Sequence, residues 1–163
     1  MSNKNISILF TGQGSQHKNM GIKLMESLEW VKDRYNQSSD ILGYDVIKTQ
    51  QNADKINLTQ YSQPLIFIYS SILIDLFKKS FKKIISENNI SLAGHSLGEY
   101  LALYFSESLD FESMLRVVSL RGKSMANVSD PNKFGMFAIL TKEKINPDIF
   151  PDNVYLANIN SDS

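Results

Sequence analysis

A serine stands between two glycines in Ala93-Gly94-His95-Ser96-Leu97-Gly98-Glu99-Tyr100, directly after the short apolar run Ile90 to Ala93. The run has the length and composition of a buried strand, and Leu97 to Phe105 has the spacing of a buried helix. A turn this tight between strand and helix strains Ser96 and pushes its hydroxyl out of the sheet. Glycine at the two flanking positions lets the backbones pass. The chemistry of such a serine is nucleophilic attack on an acyl group. The same residues allow a second reading, because Ser96 and Glu99 have the spacing of a capping box, in which each side chain satisfies one end group of the helix. That reading leaves Gly94 and Gly98 without a purpose.

A nucleophile elbow needs two backbone N–H groups to hold the oxyanion. One comes from the residue after the nucleophile, here Leu97, and the other from the loop after another strand. The loop Thr11-Gly12-Gln13-Gly14-Ser15-Gln16 follows the apolar run Ile6 to Phe10, and Gln13 is the candidate for the second donor. A plain tight turn would also use two glycines. The sequence argues against a phosphate-binding role: a dinucleotide fingerprint needs glycine where His17 stands, and a P-loop needs Gly-Lys-Ser/Thr.

Arg121 is the third candidate. On a helix from Phe111 to Asn127, the residues Met114, Val117, Val118, Arg121 and Met125 fall on one face. A guanidinium in an apolar stripe needs a partner, and its planar fork suits a carboxylate. The partner is either an internal acid or a substrate, unless the side chain reaches out to water. A serine nucleophile beside such an arginine fits an acyl donor with a free carboxylate at its far end.

Elements must hold these residues in place, and strand and helix signals alternate along the chain, which predicts an α/β fold around a mainly parallel sheet. Strands are expected at Ile6 to Phe10, Tyr44 to Thr49, Ile90 to Ala93, Gly135 to Leu140 and Val154 to Asn158. Helices are expected at Gly21 to Ser27, Glu29 to Leu42, Gln63 to Lys78, Leu97 to Phe105, Phe111 to Asn127 and near Lys142 to Ile145. The Gln63 to Lys78 helix is apolar around most of its circumference and belongs in the centre of the fold.

Composition narrows the function classes. With 163 residues the chain can bury the core of one domain. Seventeen Lys and Arg balance 17 Asp and Glu without a basic stripe, which argues against nucleic acid as a partner. There is no cysteine, so thiol nucleophiles, disulfides and cysteine-bound zinc are excluded. The two histidines, His17 and His95, do not make a metal motif. The apolar stretch Pro64 to Phe77 is broken by Tyr69, Ser70, Ser71 and Asp75, which marks a core helix and no membrane span. The first strand begins too early for a signal or transit peptide, and a cytoplasmic location is expected.

The motifs taken together resemble a known family. Phe10-Thr11-Gly12-Gln13-Gly14-Ser15-Gln16 followed by Met20-Gly21, then Gln63-Pro64, the elbow, Arg121-Gly122-Lys123 and Ala157-Asn158-Ile159-Asn160-Ser161 are similar, in order and spacing, to successive motifs of the malonyl-CoA:acyl carrier protein transacylases. The resemblance runs from Ile6 to Ser161. It implies a hydrolase-like α/β core with a mainly parallel sheet and a nucleophile elbow over residues 1–128, and the start of a ferredoxin-like small subdomain over 129–163. It makes Ser96 the malonylated residue, Gln13 and Leu97 the oxyanion-hole donors and Arg121 the clamp on the malonyl carboxylate. The reaction it implies is ping-pong transfer of malonyl from coenzyme A to Ser96 and on to acyl carrier protein, in fatty acid biosynthesis. No cofactor is implied beyond coenzyme A as the substrate's carrier. Leu97 beside the serine is similar to malonyl-selective members, since methylmalonyl-selective ones often carry glutamine there.

Members of this family are considerably longer, and their general-base histidine lies in the part without a counterpart here. His95 adjoins Ser96 but neighbouring side chains point to opposite sides. His17 lies in the loop after the first strand with nothing to orient it. Loss of the histidine from a serine-histidine pair can lower turnover on the order of a million-fold. The chain therefore reads as the N-terminal half of a malonyl transferase that requires a C-terminal half for full activity, whether that half is a separate polypeptide or not. Alternatives are a non-catalytic remnant that binds acyl carrier protein or coenzyme A, and a serine esterase, which would have no use for Arg121.

Overall fold

The computed structural model describes residues 3–128, 135, 137 and 139–159. The chain divides into two units, Met1–Asp130 and Pro131–Ser163.

In the first unit, β1 (Asn5–Phe10) pairs in parallel with β2 (Asn89–Gly94), in register from Asn5 opposite Asn89 to Phe10 opposite Gly94. Both strands alternate, with Ile8, Phe10, Ile90 and Leu92 packed on the core, Ile6 half-buried on the same face, and Ser7, Leu9, Ser91 and Ala93 exposed. Between the strands lie α1 (Ile22–Ser27), α2 (Glu29–Leu42), α3 (Val46–Gln51), α4 (Ala53–Ile56), α5 (Thr59–Ser80) and α6 (Lys82–Ser86). After β2 come α7 (Leu97–Phe105) and α8 (Phe111–Val128). Parallel strands need such a long crossover, and α7, which follows β2, packs against both strands.

Helix α5 forms the centre, as its composition requires. Every residue from Ser62 to Ile68 is buried, and the helix begins one turn before the expected Gln63. Its core neighbours include Val31 and Tyr35 of α2, Leu97 and Leu101 of α7, and Met114, Leu115 and Val118 of α8. Helix α8 approaches closely because residue 122 is glycine: a Cβ there would lie 3.0 Å from the Thr59 carbonyl oxygen and 3.3 Å from Gln60 Cα.

One polar cluster ties four of these helices together. Arg34 of α2 donates to Asp75 of α5 at 2.9 Å, with its guanidinium carbon 4.0 Å from the ring centre of Phe111 in α8. Tyr104 of α7 donates its hydroxyl to the same carboxylate at 2.9 Å, and burial raises the pKa of this phenol above its ordinary value. Asp75→Ala leaves a mostly buried guanidinium without its acid. We expect it to lower the unfolding free energy by about 2–3 kcal/mol in urea titrations, and Asp75→Asn to lower it less.

Two expectations change here. Tyr44 to Thr49 is not a strand, since it contributes to α3, capped by Asp45, whose carboxylate accepts from Lys48 N at 2.9 Å. Those backbone donors hold the Asp45 carboxyl below its ordinary range. Val46, Thr49 and Gln50 are buried with helical spacing, and burying that face outweighs the β preference of Val46, Ile47 and Thr49. The expected apolar face of α8 is also shifted. Its buried residues are Phe111, Met114, Leu115, Val118, Ser119 and Gly122, whereas Val117 and Met125 are exposed.

In the second unit the described residues contain one turn of 3-10 helix, Pro147–Ile149, capped by the Asn146 side chain on Asp148 N. The strand expected at Gly135 to Leu140 falls partly outside the described residues, and its described positions have no ladder partner. The expected helix near Lys142 to Ile145 and strand at Val154 to Asn158 are irregular backbone. A strand exists only within a ladder to a neighbouring strand, and the described residues of these segments form no such ladder. The apolar side chains of Val154, Tyr155 and Leu156 stay exposed, with Tyr155 at 85%.

Candidate active site

Ser96 follows β2 and precedes the first residue of α7, at φ 54° and ψ −107°. This positive φ is costly for a residue with a side chain, on the order of 1–3 kcal/mol, and the surrounding packing imposes it. Gly94 and Gly98 make that packing possible. A Cβ at Gly94 would lie 2.1 Å from the carbonyl carbon of Gly98, and one at Gly98 would lie 2.2 Å from the Phe10 carbonyl oxygen. The two glycines thus press the end of β2, the start of α7 and the end of β1 against each other. The capping-box reading is overturned: Ser96 makes no side-chain cap bond to its helix, and its hydroxyl is engaged elsewhere.

The loop after β1 sits directly on the elbow. His95 N donates to the Phe10 carbonyl at 3.1 Å, and a Cβ at Gly12 would lie 2.8 Å from the His95 carbonyl oxygen. This brings Gln13 to the site. Among the described residues the N–H groups of Gln13 and Leu97 have no protein acceptor. For Leu97 this follows from its place in the first turn of α7, whose N–H groups lack an intrahelical partner. The positive end of the same helix favours negative charge at the Ser96 oxygen.

Arg121 of α8 completes the cluster. It is half-buried at the edge of the helix's core face, not in the middle of an apolar stripe. One terminal nitrogen donates to Ser96 Oγ at 2.9 Å and the other to Gln63 Oε1 at 2.6 Å. The guanidinium carbon lies 5.5 Å from the Tyr100 ring centre. Among the described residues no carboxylate pairs with it, so its positive charge is balanced by neutral acceptors alone.

Gln63 emerges from the fold as a member of the site. It is 1% exposed, and its Nε2 donates to Gln13 Oε1 at 3.3 Å and to Met125 Sδ at 3.2 Å. In the sequence Gln63 stands out only as part of the Gln63-Pro64 motif of the resemblance, at the head of an apolar helix, with no role attached to it.

The histidines are not brought to Ser96. His17 is exposed, with Nδ1 2.9 Å from the Lys18 carbonyl oxygen and its ring edge-on to Tyr69 at 6.2 Å. His95 is exposed with its Nδ1 beside Gly12. Neither ring hydrogen-bonds the serine among the described residues. Groups of three or more His, Cys, Asp or Glu suited to a metal are also absent among them, and no helix there is long and apolar enough to cross a membrane.

A strained serine elbow on a parallel strand, with unpaired N–H groups beside it, is the arrangement of enzymes that carry acyl groups on serine. Residues 8–163 match the acyl transferase domain, and the chain belongs to that family. It is 40% identical over 136 residues to the malonyl CoA-acyl carrier protein transacylase of Synechocystis, covering 82% of this chain and 43% of that protein. The Haemophilus influenzae transacylase of the same name is 35% identical, with 84% and 44% covered. The crystal structure of the Synechocystis enzyme superposes with a TM-score of 0.67 at 37% identity, over 77% of this chain and 41% of that one. A malonyl-transacylase in complex with a type II polyketide acyl-carrier protein superposes with a TM-score of 0.64 at 32% identity, over 78% and 40%. The fold is thus that of the malonyl transacylases, and the chain spans less than half the length of these relatives.

Proposed function

We propose that this chain carries the nucleophile half of a malonyl-CoA:acyl carrier protein transacylase. In the first step Ser96 Oγ attacks the thioester carbonyl of malonyl-CoA, an ester bond forms, the C–S bond breaks, and coenzyme A leaves as the thiol with the serine proton. In the second the phosphopantetheine thiol of acyl carrier protein attacks the malonyl-serine ester and returns the proton to Ser96. The backbone N–H groups of Gln13 and Leu97 hold the tetrahedral oxyanion in both steps. Arg121 holds the malonyl carboxylate.

The observation that carries this reading is the guanidinium of Arg121 on Ser96 Oγ at 2.9 Å without a carboxylate partner among the described residues. A cation at hydrogen-bond distance from the nucleophile suits an acyl group bearing a negative charge one carbon from its carbonyl. A neutral ester would leave it unpaired, which disfavours an esterase. The reaction needs no cofactor beyond the coenzyme A carried by the substrate, and its setting is cytoplasmic fatty acid biosynthesis.

A general base has to come from the remainder of the fold, supplied by a C-terminal half, with residues 129–163 as the opening of the small ferredoxin-like subdomain. A second reading, a binding module for acyl carrier protein or coenzyme A, is favoured by the placement of both histidines away from Ser96. Intact-mass spectrometry after incubation with malonyl-CoA separates the two. We expect a malonyl adduct that disappears in Ser96→Ala and forms faster when the C-terminal half of a relative is added. No adduct even with that half present would leave the binding module.

A further inference from the structure

Gln63 is the most deeply buried polar side chain at the site, and the chemistry of its neighbours dictates which way its amide points. A guanidinium only donates, so the atom 2.6 Å from Arg121 has to be the oxygen, Oε1. The nitrogen, Nε2, is then aimed at Gln13 Oε1 at 3.3 Å and Met125 Sδ at 3.2 Å. That contact orients the second amide in turn. With its oxygen taken by Gln63, Gln13 presents Nε2 to Thr59 Oγ1 at 3.4 Å. One hydrogen-bonded series therefore runs from Ser96 through Arg121, Gln63 and Gln13 to Thr59. It joins the elbow, α8, α5 and the loop after β1.

We infer that Gln63 is a positioning residue that couples the arginine to the loop carrying Gln13. This rests on the proposed roles of Arg121 as carboxylate clamp and Gln13 as oxyanion donor. Its acceptor holds the guanidinium over Ser96, and its donor holds the Gln13 loop against the elbow, so both depend on one amide. A substrate carboxylate that binds Arg121 is felt at the Gln13 peptide through this bridge. Loss of Gln63 acts on every acyl donor, because it loosens the oxyanion loop. Loss of Arg121 acts on donors that bear a carboxylate.

The test compares two variants with wild type in the presence of the C-terminal half of a relative. Rates of Ser96 acylation by malonyl-CoA and by acetyl-CoA are followed by intact mass, and the Gln13 backbone amide is followed by NMR during titration with malonate. Gln63→Leu removes both contacts and is expected to slow both acylations by about 10–100-fold, the usual effect of losing a group that orients a reacting one. Gln63→Glu is isosteric, keeps an acceptor for Arg121 and places a carboxylate in competition with that of the substrate. It is expected to slow malonyl transfer at least 10-fold more than acetyl transfer. Malonate should shift the Gln13 amide in wild type and leave it in place in Gln63→Glu.

If Gln63→Leu slows malonyl transfer and leaves acetyl transfer unchanged, Gln63 serves the arginine alone and the coupling is wrong. A Gln13 amide that follows malonate equally in wild type and Gln63→Glu overturns it as well. Should Gln63→Leu fail to fold, these outcomes are read from the isosteric Gln63→Glu. Wild type that is acylated by neither donor and unmoved by malonate refutes the acyl-transfer reading itself, and the coupling with it.

Discussion

Arg121→Ala is expected to slow malonylation of Ser96 by roughly 10²–10³-fold while acetyl transfer keeps its rate within a few-fold, reversing the preference between the two donors. The size follows from leaving a substrate carboxylate without its cation in a partly enclosed site, a loss of about 3–4 kcal/mol. The guanidinium has no acid to release among the described residues. Its removal therefore takes away attraction for the substrate and breaks no internal ion pair. Lysine should restore only part of the rate, because an ammonium cannot bind a carboxylate through a planar fork while donating to Ser96 Oγ and Gln63 Oε1. Competition between malonyl-CoA and acetyl-CoA, read as the ratio of the two adducts by intact mass, checks it. An unchanged ratio would remove the clamp from the proposed mechanism.

Gly98→Ala is expected to destabilise the chain by more than about 4 kcal/mol, which is beyond the range of ordinary overpacking. The added methyl would sit 2.2 Å from the Phe10 carbonyl oxygen and 3.0 Å from that of Thr11, both backbone atoms. Relief requires α7 to move away from β1, and that separates the Gln13 loop from the elbow. Circular dichroism during urea titration should show a chain largely unfolded without denaturant. A well-folded variant would show that the strand ends and the helix start are less tightly joined than these distances require.

The two effects differ in how visible their causes were along the chain. The glycine requirement was legible because it is local: a strand, a tight turn and a helix within a dozen residues leave few backbone paths, and bulky residues at 94 and 98 block them. Helices α2, α5, α7 and α8 are legible from the period of their apolar residues, and the first strand from a short apolar run that ends at the glycine loop. Tyr44 to Thr49 misled because six residues with several β-branched side chains carry little periodicity, while the Asp45 cap and the burial of Val46 and Thr49 came from the fold. Residues Val154 to Asn158 have strand composition, but composition does not set the register of a ladder with another strand, and the described residues there form none.

Arg121 marks the boundary between these kinds of information. Its spacing on α8 pointed to a guanidinium on an apolar face with an unknown partner. What it meets, Ser96 25 residues away and Gln63 58 residues away, depends on how closely α8 packs on α5 and α7. Gly122 controls that approach. The amide of Gln63 reaches Gln13 across 50 residues, a contact no pattern in the sequence indicates. The sequence by itself determined the elbow, its glycines and the family motifs, because neighbouring residues impose those constraints on one another. Only the tertiary structure decided that the serine, the arginine, the buried amide of Gln63 and the exposed amide of Gln13 form one connected series. Hydrogen bonds between distant segments are set by packing, and packing is a property of the whole core.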